Sequence, residues 1–338
     1  MNAYQADILA QAAALQDTLD LLGDARPLAE IRQGLQSGRW RRIILTGMGS
    51  SYFTLWPLYQ RLLEAGLAAW LFETSELIYS RAILASDTLI IAASQSGASA
   101  ETVRLLDKIG PGYQVIGLTN TPDSPLARRA TFTVLTMAGE EATVSCKTYL
   151  ASLAAQCWLG DQLIQGQNEF NGLQGLPQQV QTYLEGWQAH VAELTQTLAG
   201  VEQVYLAGRG ISITSAGTGG LILKESVHVA GEGMSSAAFR HGPFEMVRPQ
   251  TFVVIFAGCG ETMALNRKLY SDVAGVGGRA ALVEAGAGAG AFGLPPCPEA
   301  VLPILEILPV QMMTLALAEL RHLTAGSFSL ASKVTTTE

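Results

Sequence analysis

Two stretches of this chain repeat one another. Arg42-Ile43-Ile44-Leu45-Thr46-Gly47-Met48-Gly49 is a short apolar run ending in Gly-x-Gly, and Gln203-Val204-Tyr205-Leu206-Ala207-Gly208-Arg209-Gly210 does the same 161 positions later. Each leads into a stretch with helical spacing. A second pair follows: Thr88 to Ala93, closing at Gly97, matches Phe252 to Ala257, closing at Gly260, with the two closing glycines 163 positions apart. Val115-Ile116-Gly117-Leu118-Thr119 is loosely echoed by Ala280 to Glu284. A near-constant offset constrains the architecture before any local assignment, because both halves must build the same unit. Runs rich in Ile, Val and Leu, bounded by glycine and separated by helical patterns, read as strands of a parallel sheet covered on both faces. Each half is therefore expected to be an α/β layer, a parallel sheet flanked by helices.

Composition narrows the partners. With 338 residues, 49% hydrophobic and 15% charged, the chain can bury one large core or two ordinary ones, which excludes a disordered or fibrous protein. Lysine and arginine total 21 against 29 acidic residues, for a net charge of -8, and the basic residues form no cluster, so nucleic acid is not an expected partner. Cys146, Cys157, Cys259 and Cys297 are scattered without a CxxC pair. They encode neither a zinc ribbon nor a disulfide framework, and read as buried thiols of a cytoplasmic protein. Met1 to Leu22 is interrupted by Gln5, Asp7, Gln11, Gln16 and Asp17 and is no signal peptide. Leu302 to Leu320 is the most apolar late segment, but Pro303, Glu306, Pro309 and Gln311 make it a buried helix rather than a membrane span. The expected organisation is an N-terminal helix at 1–24, a first domain at 25–160, a helical linker at 161–198, a second domain at 199–325 and a tail at 326–338.

The loop after the second strand carries the first chemical signal. In Ala93-Ser94-Gln95-Ser96-Gly97-Ala98-Ser99-Ala100-Glu101-Thr102 the three serines offer hydroxyls, beside an amide and backbone N–H groups where a helix begins. Outward N–H groups and the helix dipole suit a phosphate, although a Ser-Gly loop taken alone more often only caps and turns the chain. Gly47-Met48-Gly49-Ser50-Ser51-Tyr52 supplies a second tight turn at the same sheet edge, where ligands of open α/β sheets bind. It is not a dinucleotide fingerprint: the third glycine is missing, and Glu64 or Glu73 is a poor match for the ribose acid. Glu225, His228 and Glu232 stand at i, i+3 and i+7, as on one helical face, but no second Glu-x-x-His exists, so no metal is expected.

These loops, with Gly139-Glu140-Glu141 leading to Ser145-Cys146-Lys147, Gly208-Arg209-Gly210, Leu223-Lys224-Glu225-Ser226, Phe239-Arg240-His241-Gly242-Pro243 and Leu330-Ala331-Ser332-Lys333-Val334-Thr335, resemble the sugar isomerase (SIS) domain family. Within it the pattern is similar to the isomerase half of the glucosamine-fructose-6-phosphate aminotransferases. The resemblance covers nearly the whole chain after about residue 40, in order. It implies two tandem SIS-type, flavodoxin-like domains, a small sugar phosphate as substrate, no cofactor, and a homodimer or larger assembly with shared active sites. It also implies that Ser51, Ser94, Gln95, Ser96 and Ser99 grip the phosphate, and that Gly49, Ser50 and Ser145 meet the sugar. Glu225 would move a proton between C1 and C2, His241 would assist ring opening from a neighbouring subunit, and Lys333 would form a Schiff base with an open-chain ketose. The residue types suit these tasks: a carboxylate can take a proton beside an imine, an imidazole can shuttle a hydroxyl proton, and an amine can supply the imine.

Departures from the aminotransferase pattern redirect the expected reaction. Asn2 follows Met1, where the aminotransferase exposes the cysteine of its glutamine-hydrolysing domain, so that domain is expected to be absent and ammonia or an amine to be handled directly. Ile222 stands where the aminotransferase has a lysine, Thr218 where it has a glutamate, and Ala238 replaces another family glutamate. The segment Ala238 to Val247 looks equally like deglycases that split fructosamine 6-phosphates, which lack the tail lysine. Retention of Lys333 favours an amino-sugar phosphate deaminase or isomerase, with the deglycase and a non-catalytic phosphosugar-binding module as alternatives.

Overall fold

The computed structural model describes residues 1–338 apart from Pro27, Ala289, Ser329, Ala331 and 336–338. Its strands form two five-stranded sheets. Packing divides the polypeptide into two units that interleave along the sequence. The first comprises Ala13–Glu141, Cys146–Gln174 and Ala331–Glu338, and the second Met1–Ala12, Ala142–Ser145 and Gly175–Leu330.

In the first unit, β1 (Arg42–Gly47), β2 (Ala69–Glu73), β3 (Thr88–Ala93), β4 (Gln114–Thr119) and β5 (Phe132–Leu135) run parallel in the order β2-β1-β3-β4-β5. Ile44 pairs with Trp70 on one side and Ile90 on the other, and Gly47 with Glu73 and Ala93. β1, β3 and β4 are buried almost end to end, which is why they read as unbroken apolar runs rather than alternating ones. One core joins Ile44, Ile90 and Val115 to Leu105, Leu106 and Leu126 from the covering helices. Each such side chain stabilises the fold by about 1.5–3 kcal/mol through burial. The chain leaves β1 for β2 on one side and later enters β3 on the other. The loops beyond the carboxyl ends of β1 and β3 therefore bound a crevice at the point where the strand order reverses.

The second unit repeats this winding. β6 (Gln203–Gly208), β7 (Ala230–Ser235), β8 (Thr251–Phe256), β9 (Arg279–Ala285) and β10 (Gly293–Leu294) are parallel in the order β10-β9-β8-β6-β7. Read from β7, the order is that of the first sheet. The repeat expected from the sequence is thus a repeat of topology, two tandem α/β layers of SIS-type, flavodoxin-like order. Helices Leu176–Glu185 and Trp187–Thr197 occupy the stretch read as helical between the two strand sets. The apolar segment near the end forms the helix Leu302–Arg321, long and apolar enough to cross a membrane but nearly all buried in protein. Its polar side chains find partners there: Gln311 and Gln11 exchange amide hydrogen bonds of 2.8 Å in each direction.

Candidate active site

β3 ends at Ala93, and the loop that follows is held from both sides. The Ser94 N–H donates to the Leu118 carbonyl, the Gly97 N–H to the Ser94 carbonyl, and the Leu126 N–H to the Gly97 carbonyl, each at 3.0 Å. The Gln95 carbonyl accepts from the Asn120 N–H at 2.9 Å and from Thr119 Oγ1 at 3.1 Å. Gly97 sits at φ +61°, and a Cβ there would lie 2.1 Å from Ser124 Oγ, so glycine is required both by conformation and by space. The backbone is fixed while Gln95, Ser96 and Ser99 stay half-exposed and Ser94 is buried. Ser99 caps the helix Ala100–Ile109, its Oγ accepting from the Thr102 N–H at 3.4 Å and donating to Thr102 Oγ1 at 2.9 Å. The loop thus delivers hydroxyls and an amide to the positive end of a helix.

The β1 loop starts alongside. A Cβ on Gly47 would lie 3.0 Å from the Tyr52 nitrogen and 3.1 Å from the Ala93 carbonyl, so the bare glycine lets the helix Gly49–Glu64 begin close against the sheet edge. Gly49, Ser50 and Ser51 make its first turn, at the crevice that Ser94 also borders. Tyr52 follows, half-buried; burial first, then the charges of Glu73 and Tyr59, hold its phenol above the ordinary value.

The tail reaches the same unit. Lys333 Nζ donates to Glu141 Oε2 at 2.9 Å, and the Glu141 side chain has no exposed surface. Glu141 Oε1 accepts from the N–H groups of Cys146 at 2.9 Å and Thr148 at 3.0 Å, and Thr148 Oγ1 donates to Oε2 at 2.6 Å. Two residues beyond Lys333, the Thr335 carbonyl accepts from the Ala100 N–H at 3.0 Å. Ala100 is the first residue of the helix that Ser99 caps. Since consecutive Cα atoms are 3.8 Å apart, the Lys333 Cα lies within about 8 Å of the residue that touches this helix start.

The remaining expected residues belong to the second unit. Glu225 is half-buried in the last turn of the helix Ile213–Val227. His241 is exposed at the end of the helix Ser236–Arg240, its N–H donating to the Ala238 carbonyl at 2.9 Å. Ser145 lies half-buried in Ala142–Ser145. The structure therefore brings together Gly49, Ser50, Ser51, Ser94, Gln95, Ser96, Ser99 and Lys333 in one unit, with Glu225, His241 and Ser145 in the other. Ile222 and Thr218, at the departures from the aminotransferase pattern, are fully buried.

One reading of the spacing is corrected. His228 adopts φ 53°, in the left-handed region, which ends the helix at Val227, and Glu232 lies in β7. Glu225, His228 and Glu232 therefore do not share a helical face, and among the described residues no three His, Cys, Asp or Glu are placed to hold a metal. The cysteines are free thiols, Cys146 and Cys157 buried and Cys259 and Cys297 half-buried. Burial pushes Cys157 and Cys259 up to about 12 and Cys297 to about 11, so these three stay protonated near neutral pH.

The fold is matched in known proteins. Residues 38–164 match the family model of the SIS domain. These residues carry an SIS domain. The isomerizing glutamine–fructose-6-phosphate aminotransferase of Pyrococcus horikoshii is 29% identical over 93% of this chain and 54% of its own length, and that of Gloeobacter violaceus 29% over 94% and 56%. The chain thus spans about half the length of the curated relatives it matches. Among solved structures, the C-terminal domain of glucosamine-fructose-6-phosphate aminotransferase from Francisella tularensis superposes with a TM-score of 0.82 at 20% identity, covering 96% of this chain and 98% of that one. Glucosamine-6-phosphate deaminase from Thermotoga maritima gives 0.76 at 17%, covering 99% and 100%. These likenesses establish a shared fold over both units. The SIS motifs named the serine loop and the tail lysine, but gave no role to Glu141, Thr119, Asn120 or Thr335, which position them.

Proposed function

We propose that this SIS protein is a phosphosugar isomerase and deaminase that converts glucosamine 6-phosphate, or a close analogue, to fructose 6-phosphate and ammonia. The observation that carries the reading is the anchored tail: Lys333 is fixed by the buried Glu141, and Thr335 is bonded to the helix start behind Ser99. A lysine with only a solvating role has no need of a carboxylate withdrawn from water.

In this reading Ser51, Ser94, Gln95, Ser96 and Ser99 hold the phosphate, and Gly49, Ser50 and Ser145 meet the sugar. His241 passes a proton from the ring hydroxyl as the ring opens, and Glu225 moves the C2 hydrogen to C1 as a proton, which turns the aldose amine into a C2 imine. Lys333 contacts C2 or condenses there in place of ammonia, and water then releases the ketose. The exposure of His241 fits a residue that reaches a site in a neighbouring copy of a cytoplasmic homodimer or larger assembly. A fructosamine-6-phosphate deglycase would use Glu225 and His241 without the lysine, and a binding module would use neither.

The variant Lys333→Ala separates these readings. Ammonia release from glucosamine 6-phosphate is expected to fall by about 10²-fold or more, the scale of losing one group that acts on the reacting atoms. Unchanged ammonia release, or undiminished cleavage of a fructosamine 6-phosphate, would overturn the assignment of Lys333.

A further inference from the structure

The second sheet has the same crevice as the first, between the loops after β6 and β8. The turns agree in detail. Gly49 and Gly210 have φ 53° and 56°, and Gly97 and Gly260 have φ 61° and 54°. The same offsets that align the strands place Ser212 at the position of Ser51 and align Ser94-Gln95-Ser96-Gly97 with Ala257-Gly258-Cys259-Gly260. The backbone cradle is therefore retained, but three of its polar side chains are replaced by a methyl, a hydrogen and a thiol.

The space is not empty. Glu306 reaches in from the helix Leu302–Arg321, wholly buried, and each of its oxygens accepts one hydroxyl, from Ser212 at 2.7 Å and from Ser215 at 2.7 Å. A Cβ built on Gly258 would lie 3.6 Å from Ser212 Oγ, so this hydroxyl stands between the two loops. Ser212 and Ser215 belong to the first turns around the start of the helix Ile213–Val227, whose dipole favours an oxyanion there.

We propose that the second crevice is an oxyanion cradle occupied by the chain's own Glu306 carboxyl group, and that removing this group uncovers a site for a small carboxylate. The closure leaves the first unit as the only one of the two crevices open to a phosphate. The comparison rests on reading the Ser94–Ser99 loop as a phosphate loop, whereas the acetate test concerns the second crevice alone.

Thermal unfolding of the intact protein at pH 6 tests it, with sodium acetate titrated against sodium chloride at equal ionic strength. Acetate supplies the atoms that Glu306→Ala removes. A saturable rise in Tm of about 2–4 °C is expected for Glu306→Ala with acetate, with no such rise for the wild type or for Glu306→Gln, in which the amide still fills the cradle. An equal acetate response in Glu306→Gln, or none in Glu306→Ala, would overturn the proposal. Should Glu306→Ala not fold, Glu306→Ser with formate replaces it under the same criteria. Titration of orthophosphate into the wild type by calorimetry is expected to bind at no more than one per chain. Two would contradict the closure, while none would count against the first loop and leave the second crevice closed as proposed.

Discussion

Single residues decide the chemistry proposed for this chain, and they can be questioned one at a time. Glu225→Gln removes the proposed base with little change in volume. Turnover of glucosamine 6-phosphate is expected to fall by about 10²–10⁴-fold while phosphosugar affinity, followed by calorimetry, stays within about threefold. Surviving turnover would remove Glu225 from the proton transfer. Glu306 offers a second test, through pH. Burial raises its carboxyl to about 7 from 4.5, against the hydroxyls of Ser212 and Ser215 that lower it, and Cys259, Cys297 and Glu299 are the titratable neighbours on that side. The folded protein keeps this proton where the unfolded chain has released it, so folding takes up a proton between those values. Stability from this group is full below about 4.5 and declines as pH rises through about 7. Relative to the wild type, Glu306→Gln is expected to gain Tm on going from pH 5 to pH 8, and a constant difference would show that Glu306 does not titrate in this window. The sequence shows Glu306 as a carboxylate early in an apolar helix. It does not show what the carboxylate meets, because Ser212 and Ser215 are more than ninety residues away.

At the scale of elements, the tail and the loop it touches matter most. Glu141 collects four hydrogen bonds, three of them from the Cys146–Thr148 turn, and so ties the C-terminal segment to the turn that opens the helix Lys147–Leu163. Glu141→Gln keeps the shape and removes the charge facing Lys333. Acetylation of Lys333 by a small reagent, followed by mass spectrometry, is expected to speed up about tenfold, an order of magnitude for a lost partly buried ion pair. An unchanged rate would mean that the pair does not hold the tail. Strands were legible because β1, β3, β6 and β8 are buried on both faces and carry little besides Ile, Val, Leu and Ala between glycines. The tail contact was not, since Glu141 and Lys333 are 192 positions apart and nothing local marks them as a pair. His228 misled for a different reason. A non-glycine residue in the left-handed region ends its helix without any of the usual stop signals, so helical spacing was extended past the true end.

The whole molecule carries one winding twice, with different uses. The first sheet presents its crevice with serines and glutamine at a fixed backbone, and the second fills the matching crevice from within. Glu225 and His241, the residues proposed for proton transfer, come from that second unit. The most direct test of the central claim is incubation of the pure protein with glucosamine 6-phosphate and with a small panel of fructosamine 6-phosphates, following ammonia, free amino acid and hexose phosphate by mass spectrometry. Equal amounts of ammonia and fructose 6-phosphate from glucosamine 6-phosphate are expected. Release of an amino acid with glucose 6-phosphate, or return of every substrate intact while still raising Tm, would contradict the account.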